Sequence, residues 1–119
     1  MAVTIVTGGG FQDSEGNVLA NGTLIWNLNR DAYTDNTFST LVCAGEAIEW
    51  ELDTNGNIPG TQTLWPNDQL LDVWTLAADT FYTLKAVSED GQLAWGPNVI
   101  YVPTEEYFVI TSVAPINPA

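Results

Sequence analysis

The sequence predicts an all-β protein: a single antiparallel β-sandwich of about seven strands with no substantial helix. Three observations carry this. Apolar and polar residues alternate with period two in several short runs, turn-forming steps separate those runs, and 45% of the 119 residues are hydrophobic. Such a length and apolar fraction suit one domain with one core. The sandwich is expected over residues 1–112, followed by a Pro-containing tail over 113–119.

The clearest alternation is in Thr23-Leu24-Ile25-Trp26-Asn27-Leu28-Asn29, where Leu24, Trp26 and Leu28 share a face. Ile48, Trp50 and Leu52 likewise oppose Glu49 and Glu51. A strand with one buried face requires this pattern, because successive side chains leave the backbone on opposite sides. Thr80 to Val87 and Asn98 to Val102 are rich in aromatic and β-branched residues, and Tyr107 to Val113 is apolar on both faces. Turns are expected at Asp13-Ser14-Glu15-Gly16-Asn17, Thr54-Asn55-Gly56-Asn57 and Glu89-Asp90-Gly91-Gln92. The Asp90-Gly91 step predicts a hairpin, and Gly96-Pro97 a bulge or an edge position in its second strand. Asp68 to Ala78 reads as a loop with at most one helical turn. Asn21-Gly22-Thr23 matches a glycosylation sequon but is read as a turn.

Composition restricts the chemistry. Fifteen acids, two bases (Arg30 and Lys85) and no His make a formal charge of −13. Nucleic acid is therefore not an expected partner, since its binding depends on Lys and Arg at the phosphates. The absence of His removes the usual general base near neutral pH. Cys43, the single cysteine, lies in the apolar run Leu41-Val42-Cys43-Ala44 and is expected to be a small buried hydrophobe. The amino-terminal residues lack the pattern of a signal peptide, and no apolar run reaches membrane-span length, so a soluble protein made in a cytoplasm is expected.

Two acidic arrangements bear on function. Asp53, Asn55 and Asn57 place oxygens at alternate positions, as do Asp13, Glu15 and Asn17, and Asp31 pairs with Asp35. Calcium takes such oxygen ligands, but an EF-hand would need Gly at Ile58 and Glu at Leu64, so these residues are read as turn formers. Glu49 and Glu51 are the obvious carboxylate pair for a hydrolase, yet on one strand they share a solvated face. No cofactor and no enzymatic activity are expected.

Three stretches resemble known families. Gln12 to Leu24 resembles the first hairpin of transthyretin-like (carboxypeptidase-regulatory-like) domains, and Leu76 to Leu84 looks like the loop-to-strand corner of immunoglobulin- and fibronectin-like sandwiches. The second resemblance implies that Tyr82 is a corner tyrosine whose hydroxyl bonds back to the backbone. Thr4 to Val102 is similar to a group of small phage-associated proteins. They share a turn ending in Leu-Trp-Pro-Asn-Asp, here Leu64 to Asp68, and a last hairpin with Trp-Gly-Pro, here Trp95 to Pro97. This resemblance implies a non-enzymatic structural protein of the virion, decorating a capsid or associated with a tail.

Two functional expectations follow. As a virion subunit, the chain would contact copies of itself or other virion proteins through the apolar strand beyond the sandwich, using Tyr107, Phe108, Val109, Ile110 and Val113. As a carbohydrate-binding module, it would stack host-surface glycans on Trp65 and Trp74, with Asn67 and Asp68 bonding hydroxyls. Of the five tryptophans, Trp26 and Trp50 are expected in the core.

Overall fold

The computed structural model describes residues 4–13, 15–34, 41–102 and 104–110. In chain order its strands are β1 (Thr4–Gly8), β2 (Thr23–Leu28), β3 (Ala32–Tyr33), β4 (Leu41–Val42), β5 (Ile48–Glu51), β6 (Gln62–Leu64), β7 (Leu71–Asp72), β8 (Tyr82–Val87), β9 (Leu93–Ile100) and β10 (Tyr107–Ile110). A single 3-10 turn, Asn67–Gln69, is the one helical element among the described residues.

The alternation read in the sequence sets the two layers. In β2, Leu24, Trp26 and Leu28 are buried while Thr23, Ile25 and Asn27 are half-buried, and β8 repeats the pattern with Tyr82, Leu84 and Ala86 inward. Antiparallel register puts Trp26 opposite both Ile48 and Leu84, and Leu24 opposite Trp50 and Ala86. These strands form a four-stranded sheet in the order β5-β2-β8-β9. A second sheet, β10-β1-β6, contributes Ile110, Val6 and Leu64 to the same buried cluster. The all-β sandwich is therefore the observed architecture, and these two sheets together hold seven strands. Three further strands of two residues each make a small third sheet, β4-β3-β7. Runs that short carry no periodicity that a sequence could display.

Aromatic rings fill the centre. Trp26 meets Trp50 at 5.3 Å between centroids and Tyr82 edge-on at 5.9 Å. Each such pair adds about 0.5–1.5 kcal/mol beyond the area it buries. Tyr82 donates its hydroxyl hydrogen to the Trp65 carbonyl at 2.9 Å, and burial pushes its phenol pKa up. The bond to backbone expected of a corner tyrosine is present, with a partner 17 residues upstream on another segment.

Two details depart from the sequence reading. One strand pair is parallel: β10 lies beside β1 with Ile5 against Tyr107 and Thr7 against Val109. The carboxy-terminal strand thus belongs to the sandwich instead of lying beyond it. Cys43 is exposed, because β4 is a two-residue strand at the rim of the small sheet and the chain turns immediately after it, with the Glu46 N–H bonding the Cys43 carbonyl. Within the apolar run it is Val42 that packs against the core.

The three expected turns are one structure used three times. In Asp13–Asn17, Asp53–Asn57 and Ser88–Gln92, the first residue donates its N–H to the fifth residue's carbonyl, at 2.8–3.0 Å. A glycine at the fourth position returns an N–H to the first carbonyl and has φ of 85°, 73° and 89° respectively. The first side-chain oxygen accepts the fifth residue's N–H.

The Gly96-Pro97 step lies where the β8–β9 register slips, and β9 is an outer strand, so bulge and edge coincide there. Gly96 has φ +87°, and a Cβ would stand 2.6 Å from the Leu84 carbonyl oxygen and 2.9 Å from Lys85 Cα. Gly96→Ala is expected to lose about 1–3 kcal/mol of stability, read as a lower denaturant midpoint with unchanged slope.

Candidate functional site

The two main sheets have four outer strands, and three of them are shielded. β5 carries exposed Glu49 and Glu51, which disfavour pairing with another strand. β9 is interrupted by its bulge and by Pro97, which has no N–H to give. β6 is three residues long and runs directly into Trp65-Pro66. β10 is the exception. It has neither a charge nor a proline, and among the described residues no strand covers its outer side.

Of the residues expected at a subunit interface, β10 sorts four by the pleat. Tyr107 and Val109 are 55% and 61% exposed, whereas Ile110 is buried and Phe108 is half-buried against the core. Val113 lies outside the described residues. The Ile5 N–H bonds the Glu106 carbonyl at 3.1 Å, which turns the backbone of Glu106 toward β1. By the period of two, Phe108 and Ile110 face β1 as well, and the N–H and C=O groups of Tyr107 and Val109 point outward.

The residues of the glycan expectation are separated by the fold. Asn67 is fully buried, its Nδ2 bonded to Thr80 Oγ1 at 3.1 Å and its Oδ1 accepting the Val102 N–H at 2.7 Å. Its amide is therefore part of the interior. Trp65 is half-buried and packs on the core, while Asp68 is exposed and accepts a hydrogen bond from the Thr104 hydroxyl. Trp74 is 88% exposed, and no ring contact joins it to Trp65 among the described residues.

Asp72 braces the loop that carries Trp74. It is fully buried, with Oδ2 accepting from Arg30 Nη1 at 2.7 Å and Oδ1 accepting the Trp74 N–H at 2.7 Å. The Leu76 N–H returns to the Asp72 carbonyl at 2.7 Å. Asp72 falls in the stretch Asp68 to Ala78 that the sequence reads as a loop. That it takes one of the chain's two cations as partner is set by β3 lying next to β7.

The candidate cation loops have a local explanation. Asp53 Oδ1 accepts the N–H groups of Asn55 and Asn57, and Asp13 Oδ1 those of Glu15 and Asn17, all at 2.8–2.9 Å. Asp31 Oδ1 accepts the Ala44 N–H at 2.7 Å, and Asp35 lies outside the described residues. Among the described residues, no three His, Cys, Asp or Glu side chains converge as a metal site. Glu49 and Glu51 are exposed on the outer face of β5. The Asp13 and Ser88 loops flank an open cleft of about 590 Å³, lined by Asp13, Val18, Leu19, Ala20, Glu89 and Asp90. That end of the sandwich is acidic.

Among the described residues, the fold is an all-β sandwich with one unshielded outer strand in its two main sheets and an acidic pole. No family model, curated protein or solved structure matches the chain.

Acid should loosen the Trp74 loop. The Trp74 N–H, followed by the Arg30 guanidinium, holds the Asp72 carboxyl below its ordinary value of 3.8. A depressed folded-state pKa stabilises above the ordinary value, and that contribution is lost as pH falls below it. Unfolding stability should therefore drop from about pH 4 downward. Asp72→Asn should show a shallower drop in denaturant midpoints measured across that range. A residual slope remains, because Asp13 and Asp90 are shifted in the same direction.

Proposed function

We propose that this chain is a non-enzymatic structural subunit of a virion, decorating a capsid or associated with a tail, and acting through contacts with copies of itself and with other virion proteins. The observation that carries the reading is the unshielded edge of β10, where two apolar side chains and their outward backbone groups are offered to a partner. Strand addition satisfies such an edge, and a monomer that had no use for it would be expected to blunt it, as β5 and β9 are blunted. The similarity of Leu64 to Asp68 and Trp95 to Pro97 to small phage-associated proteins supports the virion setting. Glu49 and Glu51 then serve to keep an outer face solvated.

A second reading, carbohydrate binding, is favoured by Trp74. An indole 88% exposed on a loop braced by Asp72 is preorganised to stack on a flat apolar sugar face. On a glycan array, binding by the wild type that disappears in Trp74→Ala selects this reading, and no binding by either argues for the first.

The subunit reading is tested by the copy number of the chain in purified particles: many symmetric copies are expected, and its absence from particles overturns the proposal. In solution the charge sets a sign. Copies carrying −13 each repel, so added salt should strengthen self-association by screening them, as sedimentation at rising ionic strength would show. Association that weakens steadily with salt would count against this charge forecast.

A further inference from the structure

Resting on the subunit reading, we infer that the partner of β10 is β10 of a second copy, paired antiparallel about a two-fold axis at Phe108. The other main-sheet edges are charged, bulged or short, which leaves β10 as the edge able to extend its sheet in both copies. The geometry of β10 is also complementary to itself. Antiparallel pairing requires the outward backbone groups of one strand to meet outward groups of the other, and directly opposite residues to share a face. A register centred on Phe108 satisfies both conditions. Tyr107 of each copy then exchanges two backbone hydrogen bonds with Val109 of the other, and Phe108 sits opposite itself in the non-bonded position.

The side chains fit that register. Tyr107 and Val109, both more than half exposed in the single chain, become cross-strand neighbours on the outer face beside Ile5 and Thr7. An aromatic residue opposite a β-branched one is a favourable cross-strand pair. On the inner face, Phe108 and its symmetry mate extend a surface already seated on the core. The acids are kept apart as well. Glu106 falls opposite Ile110 of the other copy, so the two Glu106 residues stand four positions from each other, about 13 Å along the strands. That distance exceeds the screening length of about 8 Å at physiological ionic strength, but not the longer one in dilute buffer. Four residues a side make a weak contact, which becomes effective where a particle holds many copies close together.

Sedimentation of the full chain over a concentration series, at low and at high salt, tests the pairing with three variants. Val109→Lys puts a charge on the shared face and should weaken association by about tenfold or more. Tyr107→Lys does the same from the other member of the pair and stands in should the first variant fail to fold. Thr63→Lys changes the exposed face of β6 and should leave association unchanged. Far-UV circular dichroism and melting checks that each variant is folded. Equal association by the wild type and both β10 variants overturns the β10 contact while leaving self-association standing. Equal weakening by Thr63→Lys and Val109→Lys means head-to-tail pairing of β10 with β6 and overturns the two-fold arrangement. A wild type monomeric at every concentration and salt overturns the inference outright, and the subunit reading is then decided separately by copy number in particles.

Discussion

A buried amide connects the two main sheets. Asn67 follows β6, which belongs to the three-stranded sheet, and it bonds Thr80 just before β8 and Val102 just after β9, both on the four-stranded side. The backbone adds a reciprocal bond, Asn67 N–H to the Val102 carbonyl at 2.8 Å. These groups are fully or nearly fully buried, so none can exchange its partner for water. Losing the amide would leave the Val102 N–H unpaired in the interior, a penalty of about 1–3 kcal/mol. The Tyr82 hydroxyl secures the same segment through the Trp65 carbonyl. The path from β9 to β10 passes through Val102, so this knot anchors the start of that connection.

With β10 delivered to β1, the edges of the sandwich follow. A sheet of finite width must end, and each end is a row of unpaired backbone groups. Charge at β5 and the bulge at Gly96-Pro97 protect two ends of the molecule. β10 has only the pleat, which hides Phe108 and Ile110 and presents Tyr107 and Val109. Among the described strands of the two main sheets, β10 is the outer one that lacks local protection.

The acidic composition has a structural distribution. Asp13 and Asp53 each close a five-residue loop by accepting two backbone N–H groups, and Asp72 closes the Trp74 loop while neutralising Arg30. The other described acids line the outer face of β5, the exposed turns and the cleft between the Asp13 and Ser88 loops. A chain with two bases cannot pair fifteen acids, so most must be hydrated, and hydration requires them at the surface. The charge therefore describes the exterior, whereas Tyr107 and Val109 of β10 present an apolar stretch of it.

Much of this was legible locally. Period two named the inward faces of β2 and β5, because a side chain's side of the sheet depends only on its position along its own strand. The Asp-Gly and Asn-Gly steps marked the tight turns, since glycine at positive φ is a local requirement. Burial of Trp26 and Trp50, exposure of Glu49 and Glu51, and the apolar run at Tyr107 were read in the same way. Neighbours were not legible. The parallel pairing of β10 with β1, the burial of Asn67 in a segment rich in polar residues, the exposure of Cys43 in an apolar run and the Arg30–Asp72 pair all depend on which distant segment comes alongside. The sequence by itself determined the longer strands β2, β5, β8, β9 and β10, the inward faces of β2 and β5, and the turns, because these are properties of short stretches of chain. The tertiary structure alone decided which edge stayed open and which polar side chain became core, because those outcomes belong to contacts between residues far apart in sequence.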